Sequence, residues 1–415
     1  MMTFRLAAAL SLSVSCGLGA AGAAPSALAE CDCWRYVRTG DTSAGTTLGD
    51  VAAPDPGIAW AVGSRGSRPM LMTWTGNRWA ETPLGFPRST LLEGIAATSR
   101  QDAWVVGYDD GTPEIAHWTG RRWTTVGMGD SAPSFPRAVD ARTPADAWIV
   151  GSRDGFAGTR AGAWHWDGRD WTTVPVQDGA GVNSELVSVS AYGARDAWAV
   201  GSTGTSPPRQ LLLHWNGSSW TSVPAPELPG ESELTDVTMV STNDVWAVGG
   251  TTARDAGVNE LAARTTTGRT TTGRTTTRQT TTGHATTGRT TTRRTITGRP
   301  VQPPTHGSRP LAEHWDGHAW RVTPPPKIDG QFYSVAGDGA AGIWAAGQRA
   351  DGSALLAHWD GRAWDLSRPP TPDGRGPAAV WAITQVRGTS YLWAVGPVEG
   401  PLYQALTWTN APRPR

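Results

Sequence analysis

Five histidines stand immediately before a tryptophan in this chain: His117, His165, His214, His314 and His358. Thr73 and Thr407 take the corresponding place in two further repeats. Imidazole is a common metal ligand, so a repeated histidine is the first feature to test for metal chemistry. Spacing argues against a shared metal. Nitrogens bound to one ion sit ~2.0–2.1 Å from it, whereas equivalent positions on stacked sheets lie ~10 Å apart. The expected role is structural, as hydrogen-bonding groups between neighbouring sheets. Asp146, Asp196 and Asp244 each precede an apolar run and read as tight-turn residues. Cys31 and Cys33 place two sulfurs on one face of an extended segment, as a strained local disulfide or two free thiols, with no third ligand nearby in sequence. There is no G-x-S-x-G elbow, Walker loop or H-E-x-x-H pair. No metal, cofactor or catalytic set is therefore expected.

Residues that break the repetition are better site candidates. Arg65, Arg68, Tyr108, Asp109, Asp110, Arg153, Asp154 and Phe156 follow apolar A-W-x-V-G-like runs. Phe86, Arg88, Phe135, Arg137, Glu227, Glu231 and Asp373 lie in a second set of connectors. Aromatic, acidic and arginine side chains mixed at one rim suit a sugar or peptide, because stacking surface and orienting polar groups come together. The expected ligand contacts are Tyr108, Asp109, Asp110, Arg153, Asp154, Phe156, Arg65, Arg88 and Arg137, for a glycan, a wall polymer or a protein. An extracellular lyase or glycosidase would instead need two carboxylates converging there, ~5–10 Å apart. A formal net charge of +0 gives no pull toward nucleic acid.

What must hold these connectors is a unit written seven times. Its first motif carries Trp60, Trp104, Trp148, Trp198, Trp246, Trp344 and Trp393, in steps of 44, 44, 50, 48, 98 and 49 residues. Such a pitch marks a propeller or a solenoid. The second motif discriminates. Two tryptophans five residues apart flank a glycine-containing turn in Trp74/Trp79, Trp118/Trp123, Trp166/Trp171, Trp215/Trp220, Trp315/Trp320 and Trp359/Trp364. Asn216-Gly217 and its counterparts predict a two-residue hairpin tip, with Trp215 opposite Ser218 and Leu213 opposite Trp220. Both tryptophans then share one sheet face as diagonal neighbours, and His214 takes the other. A short apolar run before the first motif, such as Leu186–Ala191, supplies an inner strand. Each repeat thus yields four strands, a to d from the inside out. Strand b is apolar on both faces, as a blade stacked between two others requires.

The last repeat has Trp393 and Trp408 but no final tryptophan, while Trp34-Arg35-Tyr36-Val37 has the pattern of Trp220–Val223. The N-terminal strand should therefore complete the seventh blade and close the ring, removing two open edges. On this count 21 of the 23 tryptophans occupy three equivalent positions, and Trp164 and Trp381 fall outside them. The expected fold is all-β: a monomeric seven-bladed β-propeller of four-stranded blades over residues 30–415.

Two segments stand apart from the repeats. Residues 251–308 interrupt blade 5 with a Thr/Arg/Gly tract that has no apolar periodicity and is expected to be disordered. It is open to reading as a neutral expansion, a cationic tether or a glycosylated stalk. It holds eight arginines between Arg264 and Arg299; setting these and Arg5 aside leaves 27 basic residues against 36 acidic ones. Residues 1–29 read as a signal peptide: Arg5, then apolar Leu6 to Ala24, then the Ala27-Leu28-Ala29 cleavage site. Secretion follows. No other stretch approaches the ~18–20 apolar residues of a membrane span.

The b and c motifs together resemble the kelch type of propeller, as in the galactose oxidase central domain. The shared marks are a hydrophobic b strand ending in glycine (Gly249-Gly250 in blade 5) and an aromatic in c followed by a Trp in d. The chain is also similar to Trp-rich repeat proteins secreted by actinobacteria. The likeness covers nearly all of the chain outside the insertion and implies ligand contact through the b–c and d–a loops. It does not extend to galactose oxidase chemistry, which would need a copper site with a Tyr–Cys crosslink, and the repeats contain no cysteine.

Overall fold

The computed structural model describes residues 34–40, 45–129, 134–154, 158–177, 183–204, 208–252, 304–339, 342–371, 378–398 and 403–412. The expected signal peptide, Cys31, Cys33, Phe156 and Asp373 lie outside the described residues, as does most of the expected insertion. At its edges, Thr251 and Thr252 continue a strand, and Thr305 is hydrogen-bonded to Ser308, where the next strand begins.

The first strand, β1 (Arg35–Val37), belongs to the last sheet. Blade 1 is β2 (Thr46–Asp55), β3 (Ile58–Arg65), β4 (Arg68–Trp74) and β5 (Trp79–Thr82). Blade 2 is β6 (Leu91–Ser99), β7 (Asp102–Asp109), β8 (Thr112–Trp118) and β9 (Trp123–Thr125). Blade 3 is β10 (Ser134–Thr143), β11 (Asp146–Arg153), β12 (Arg160–Trp166) and β13 (Trp171–Val174). Blade 4 is β15 (Ser184–Gly193), β16 (Asp196–Thr203), β17 (Arg209–Trp215) and β18 (Trp220–Val223), with the two-residue β14 (Val176–Gln177) added parallel to its outer edge. Blade 5 is β19 (Glu231–Ser241), β20 (Asp244–Thr252), β21 (Ser308–Trp315) and β22 (Trp320–Val322). Blade 6 is β23 (Gly330–Gly337), β24 (Ile343–Arg349), β25 (Ala354–Trp359) and β26 (Trp364–Ser367). Blade 7 is β27 (Ala382–Gln385), β28 (Leu392–Val398) and β29 (Gln404–Thr409), completed by β1. The inner strands touch in chain order and β27 returns to β2. The ring is closed, and the chain is a seven-bladed β-propeller.

Tryptophan wedges fill the seams. Trp198 of β16 packs against Trp315 and Trp320 of the next blade, with both centroids 5.0 Å away. Trp60, Trp104, Trp148 and Trp246 repeat this contact on the pair ahead of them. Trp393 does so across the closure, on Trp74 and Trp79. Such ring pairs add about 0.5–1.5 kcal/mol each beyond area burial. At the last seam Trp344 meets Trp34, 5.3 Å away, which ties the N-terminal segment to blade 6.

Registers correct three expectations. Trp215 lies opposite Trp220, not Ser218. The Asn216 carboxamide oxygen accepts the N–H groups of Ser218 and Ser219, which moves the tip one residue on and puts Gly217 (φ 92°) at its first position. The two tryptophans are thus direct cross-strand neighbours. In blade 7, Trp393 pairs with Thr409, the place at which blade 4 pairs Trp198 with His214. Thr409 rather than Thr407 is therefore the histidine equivalent. Trp408 sits two places before the c-strand tryptophan site, the place Trp164 holds in blade 3. Both are fully buried, so Trp164 is core packing.

The histidines bond within their own blade rather than between blades. His214 Nε2 is 2.9 Å from Asp196 Oδ1, and the imidazole stacks on Trp198 opposite it. His117–Asp102, His165–Asp146, His314–Asp244 and His358–Asp338 repeat the pairing. Burial alone would raise the Asp146 carboxyl, but hydrogen bonds from His165 and Arg142 hold it below the usual range.

Candidate functional site

The glycine that ends each first motif shapes the inner strand. A Cβ at Gly63, Gly107, Gly151, Gly201, Gly249, Gly347 or Gly396 would collide with a carbonyl oxygen of the chain on its inner side. With that space free, a carbonyl of strand a enters it and the strand bulges. Register shifts fall between Leu48/Asp50, Leu92/Gly94, Pro136/Ala138, Leu186/Ser188, Leu234/Asp236 and Phe332/Ser334. A bulge re-aims the residue it leaves unpaired. Those residues are Gly49, Glu93, Arg137, Val187, Thr235 and Tyr333, and they are chemically unlike one another.

Below the bulges, all seven inner strands line a central channel enclosing about 210 Å³. Its acids are occupied with joining blades. Asp50 accepts the Ile95 N–H of blade 2 at 2.9 Å, and Asp140 accepts the Ala191 N–H of blade 4 at 2.7 Å. Asp236 accepts the Val335 N–H of blade 6 and the hydroxyls of Ser188 and Ser334. Ser190 and Ser334 accept N–H groups from Met239 and Ile383 in the following blades. These carboxylates replace the water their neighbours' backbone groups would otherwise need. They are fastenings between blades.

The bulge in blade 3 builds the candidate site. Arg137 is buried, its Nη1 2.9 Å from Glu93 Oε1 of blade 2 and its Nη2 3.6 Å from Glu185 Oε2 of blade 4. Its guanidinium lies 5.7 Å from the Tyr108 ring centroid, and Phe135 meets that ring edge-on at 5.1 Å. Burial alone would lower the Arg137 pKa, but Glu93, Tyr108 and Glu185 outweigh it and the group stays charged. Beside it opens a cavity of about 340 Å³ lined by Phe135, Arg137, Ser152, Asp154, Thr159, Asn183, Ser184, Glu185, Ser202 and Gly204. Asn183, at φ 61°, donates its N–H to Thr159 O and accepts from Gly204 N–H, so the floor is a hydrogen-bonded crossing of three segments. Ser184 Oγ accepts the Ala161 N–H.

The expected residues divide. Arg137 and Asp154 line this cavity, and Tyr108 packs against two of its lining residues, Arg137 and Phe135. Arg153 belongs to the other sheet face, because side chains alternate along β11, and it pairs in register with Ser134 and Arg160. Asp109 and Asp110 form the end of the blade 2 hairpin. Asp110 (φ 46°) and Gly111 (φ 80°) are its two tip residues, a geometry that serves the turn. Arg65 and Arg88 line a separate cavity on blade 1. Trp381 is half-buried in blade 7, 6.4 Å from the Tyr403 ring. Glu93, Asn183, Glu185 and Ser152 escaped the sequence reading. Glu93 did carry a signal, as a lone charge inside the apolar run Leu91–Ala97.

No protein-family model matches the chain, and no curated protein matches it. Solved structures do. The structure of YCF48 bound to D1 peptide is similar at TM-score 0.54 and 14% identity, over 92% of this chain and 97% of that one. YCF48 from Cyanidioschyzon merolae gives 0.53 and 16%, over 90% and 98%. A catalytically inactive variant of virginiamycin B lyase from Staphylococcus aureus, with quinupristin, gives 0.52 and 9%, over 91% and 99%. At such identities the likeness is one of fold. Among the described residues no helix is long and apolar enough to cross a membrane.

Proposed function

We propose that this chain is a secreted, non-enzymatic binding module that seats a glycan in the cavity between blades 3 and 4. The lining carries the reading. Four hydroxyl groups (Ser152, Thr159, Ser184 and Ser202), the Asn183 amide and the carboxylates of Asp154 and Glu185 surround one aromatic ring, Phe135. A polyhydroxylated ligand needs many short hydrogen-bonding groups and one apolar face. Arg137, fixed by Glu93 and Tyr108, supplies a rigid wall, so little ordering is left to binding. The channel acids Asp50, Asp140 and Asp236 are already engaged by groups of neighbouring blades, and Glu93 by Arg137, which favours positioning over catalysis.

A protein ligand is the second reading. The propeller of similar fold solved with a bound peptide favours it. One experiment separates the two. Wild-type protein and Ser202→Tyr, which fills the cavity, are applied to a glycan array and a peptide array. Glycan binding that Ser202→Tyr lowers at least about tenfold, at unchanged melting temperature, supports the glycan reading. Peptide binding alone moves the assignment to protein. Binding untouched by Ser202→Tyr removes the cavity from consideration. Export is checked on protein from the culture medium, whose N-terminus should be Glu30.

A further inference from the structure

A second cavity, of about 190 Å³, is built on blade 1 and shares no lining residue with the channel or the blade 3–4 cavity. Its charge runs against that of the chain. With the eight arginines between Arg264 and Arg299 and Arg5 set aside, 27 basic residues face 36 acidic ones, yet this cavity gathers Arg65, Arg68 and Arg88 around one acid, Glu81. The β3–β4 hairpin sets Arg65 directly opposite Arg68. Like charges facing one another across a ladder destabilise it. Glu81 of β5 answers one of them, with its carboxylate 2.6 Å from Arg65 Nη2. Arg68 and Arg88 are exposed and have no acidic partner among the described residues. Three arginines and one glutamate leave two positive charges uncompensated.

We propose that this pocket binds a dianionic phosphate group. A carboxylate would satisfy one guanidinium fork. A phosphate monoester brings roughly 1.5–2 negative charges near neutral pH and three strong acceptor oxygens, which matches both the surplus charge and the number of forks. Phe86 and Leu84, partly buried beside the arginines, offer an apolar face to the sugar that would carry such a phosphate. Free phosphate and a phosphorylated sugar share this chemistry. The proposal does not depend on the glycan reading of the other cavity.

The test titrates the full chain with inorganic phosphate, glucose 6-phosphate, glucose and succinate, read by calorimetry and by the arginine Nε–H signals in NMR. Phosphate should saturate the site with a midpoint at or below about 1 mM, and binding should weaken as salt rises. Arg68→Ala and Arg88→Ala should each lose at least about tenfold in affinity at unchanged melting temperature, because both side chains are exposed. Glucose should not bind. Tighter binding of glucose 6-phosphate than of phosphate identifies a phosphosugar ligand, and equal binding identifies phosphate itself. The proposal is overturned if phosphate fails to saturate below about 10 mM. It also fails if succinate binds as tightly, or if the Arg68→Ala/Arg88→Ala double variant binds like wild type.

Discussion

Glu313→Gln should stabilise this propeller at pH 8 and leave it unchanged at pH 4. Glu313 lies on β21, opposite Ala247. The equivalent ladder place holds Met72, Ala116, Trp164, Leu213, Ala357 and Trp408 in the other blades. All of these are apolar, so blade 5 alone puts a carboxyl into its seam with the blade before it. The side chain is wholly buried. Gln210 of blade 4 donates to Oε1 at 3.0 Å, and Oε2 has no hydrogen-bond partner among the described residues. Burial, opposed only by that hydrogen bond, pushes the pKa from 4.5 up to about 7. An acid with a raised folded pKa holds its proton more tightly in the folded state than in the unfolded one. Its contribution is therefore intact below the unfolded value and is lost as pH climbs from 4.5 through about 7. That interval, at ~1.36 kcal/mol per pH unit, amounts to roughly 3 kcal/mol. Glutamine keeps the shape and cannot ionise. Urea unfolding of both proteins from pH 4 to 8 gives a difference curve in which every other titrating group cancels. A flat difference, or a variant less stable than wild type at pH 8, would refute the argument.

Ring closure makes a second prediction. Trp34→Ala removes a buried ring from the closing segment and should cost about 3–5 kcal/mol, read as a lower melting temperature by calorimetry; an unchanged melt would mean that the first strand does not hold the ring. The third concerns the buried pair under the candidate site. Arg137→Met removes the guanidinium that faces the buried Glu93 carboxylate and should cost about 3–5 kcal/mol, whereas adding Glu93→Gln should recover much of the loss; strictly additive losses in denaturant unfolding would show that the two groups are not coupled.

The architecture was legible because it is written redundantly. The tryptophan periods give the number of blades, and the unmatched Trp34 gives the closure. Fine registers were less legible. Asn-Gly at 216–217 suggested a tip on those two residues, but the Asn216 side chain caps the next two N–H groups and displaces the tip by one. In blade 7, Trp408 stood in for a missing c-strand tryptophan, because sequence spacing shows that a strand is aromatic and not which rung the aromatic occupies. The histidines were correctly read as structural. Their pairing with Asp146, Asp196 and Asp244, which also read as structural, was not legible, because the acid looks like a turn residue until the hairpin brings it beside the ring.

Candidate sites were harder to read, for a reason visible in one tripeptide. Phe-Pro-Arg occurs twice, as Phe86-Pro87-Arg88 and Phe135-Pro136-Arg137. The first copy lies in the connector after β5 and leaves its arginine exposed; the second lies on an inner strand and buries its arginine between two acids from neighbouring blades. Nothing local distinguishes them. What separates them is the bulge, which depends on the carbonyl of one strand entering the space left by Gly151 on the next. The repeated glycine is thus an architectural residue whose effect is to place an unrepeated one. Six blades copy the bulge and vary the side chain on it, from Gly49 through Glu93 and Arg137 to Tyr333. Substituting these positions should therefore change what the channel mouth presents while the tryptophan seams, which lie farther out, keep the ring intact.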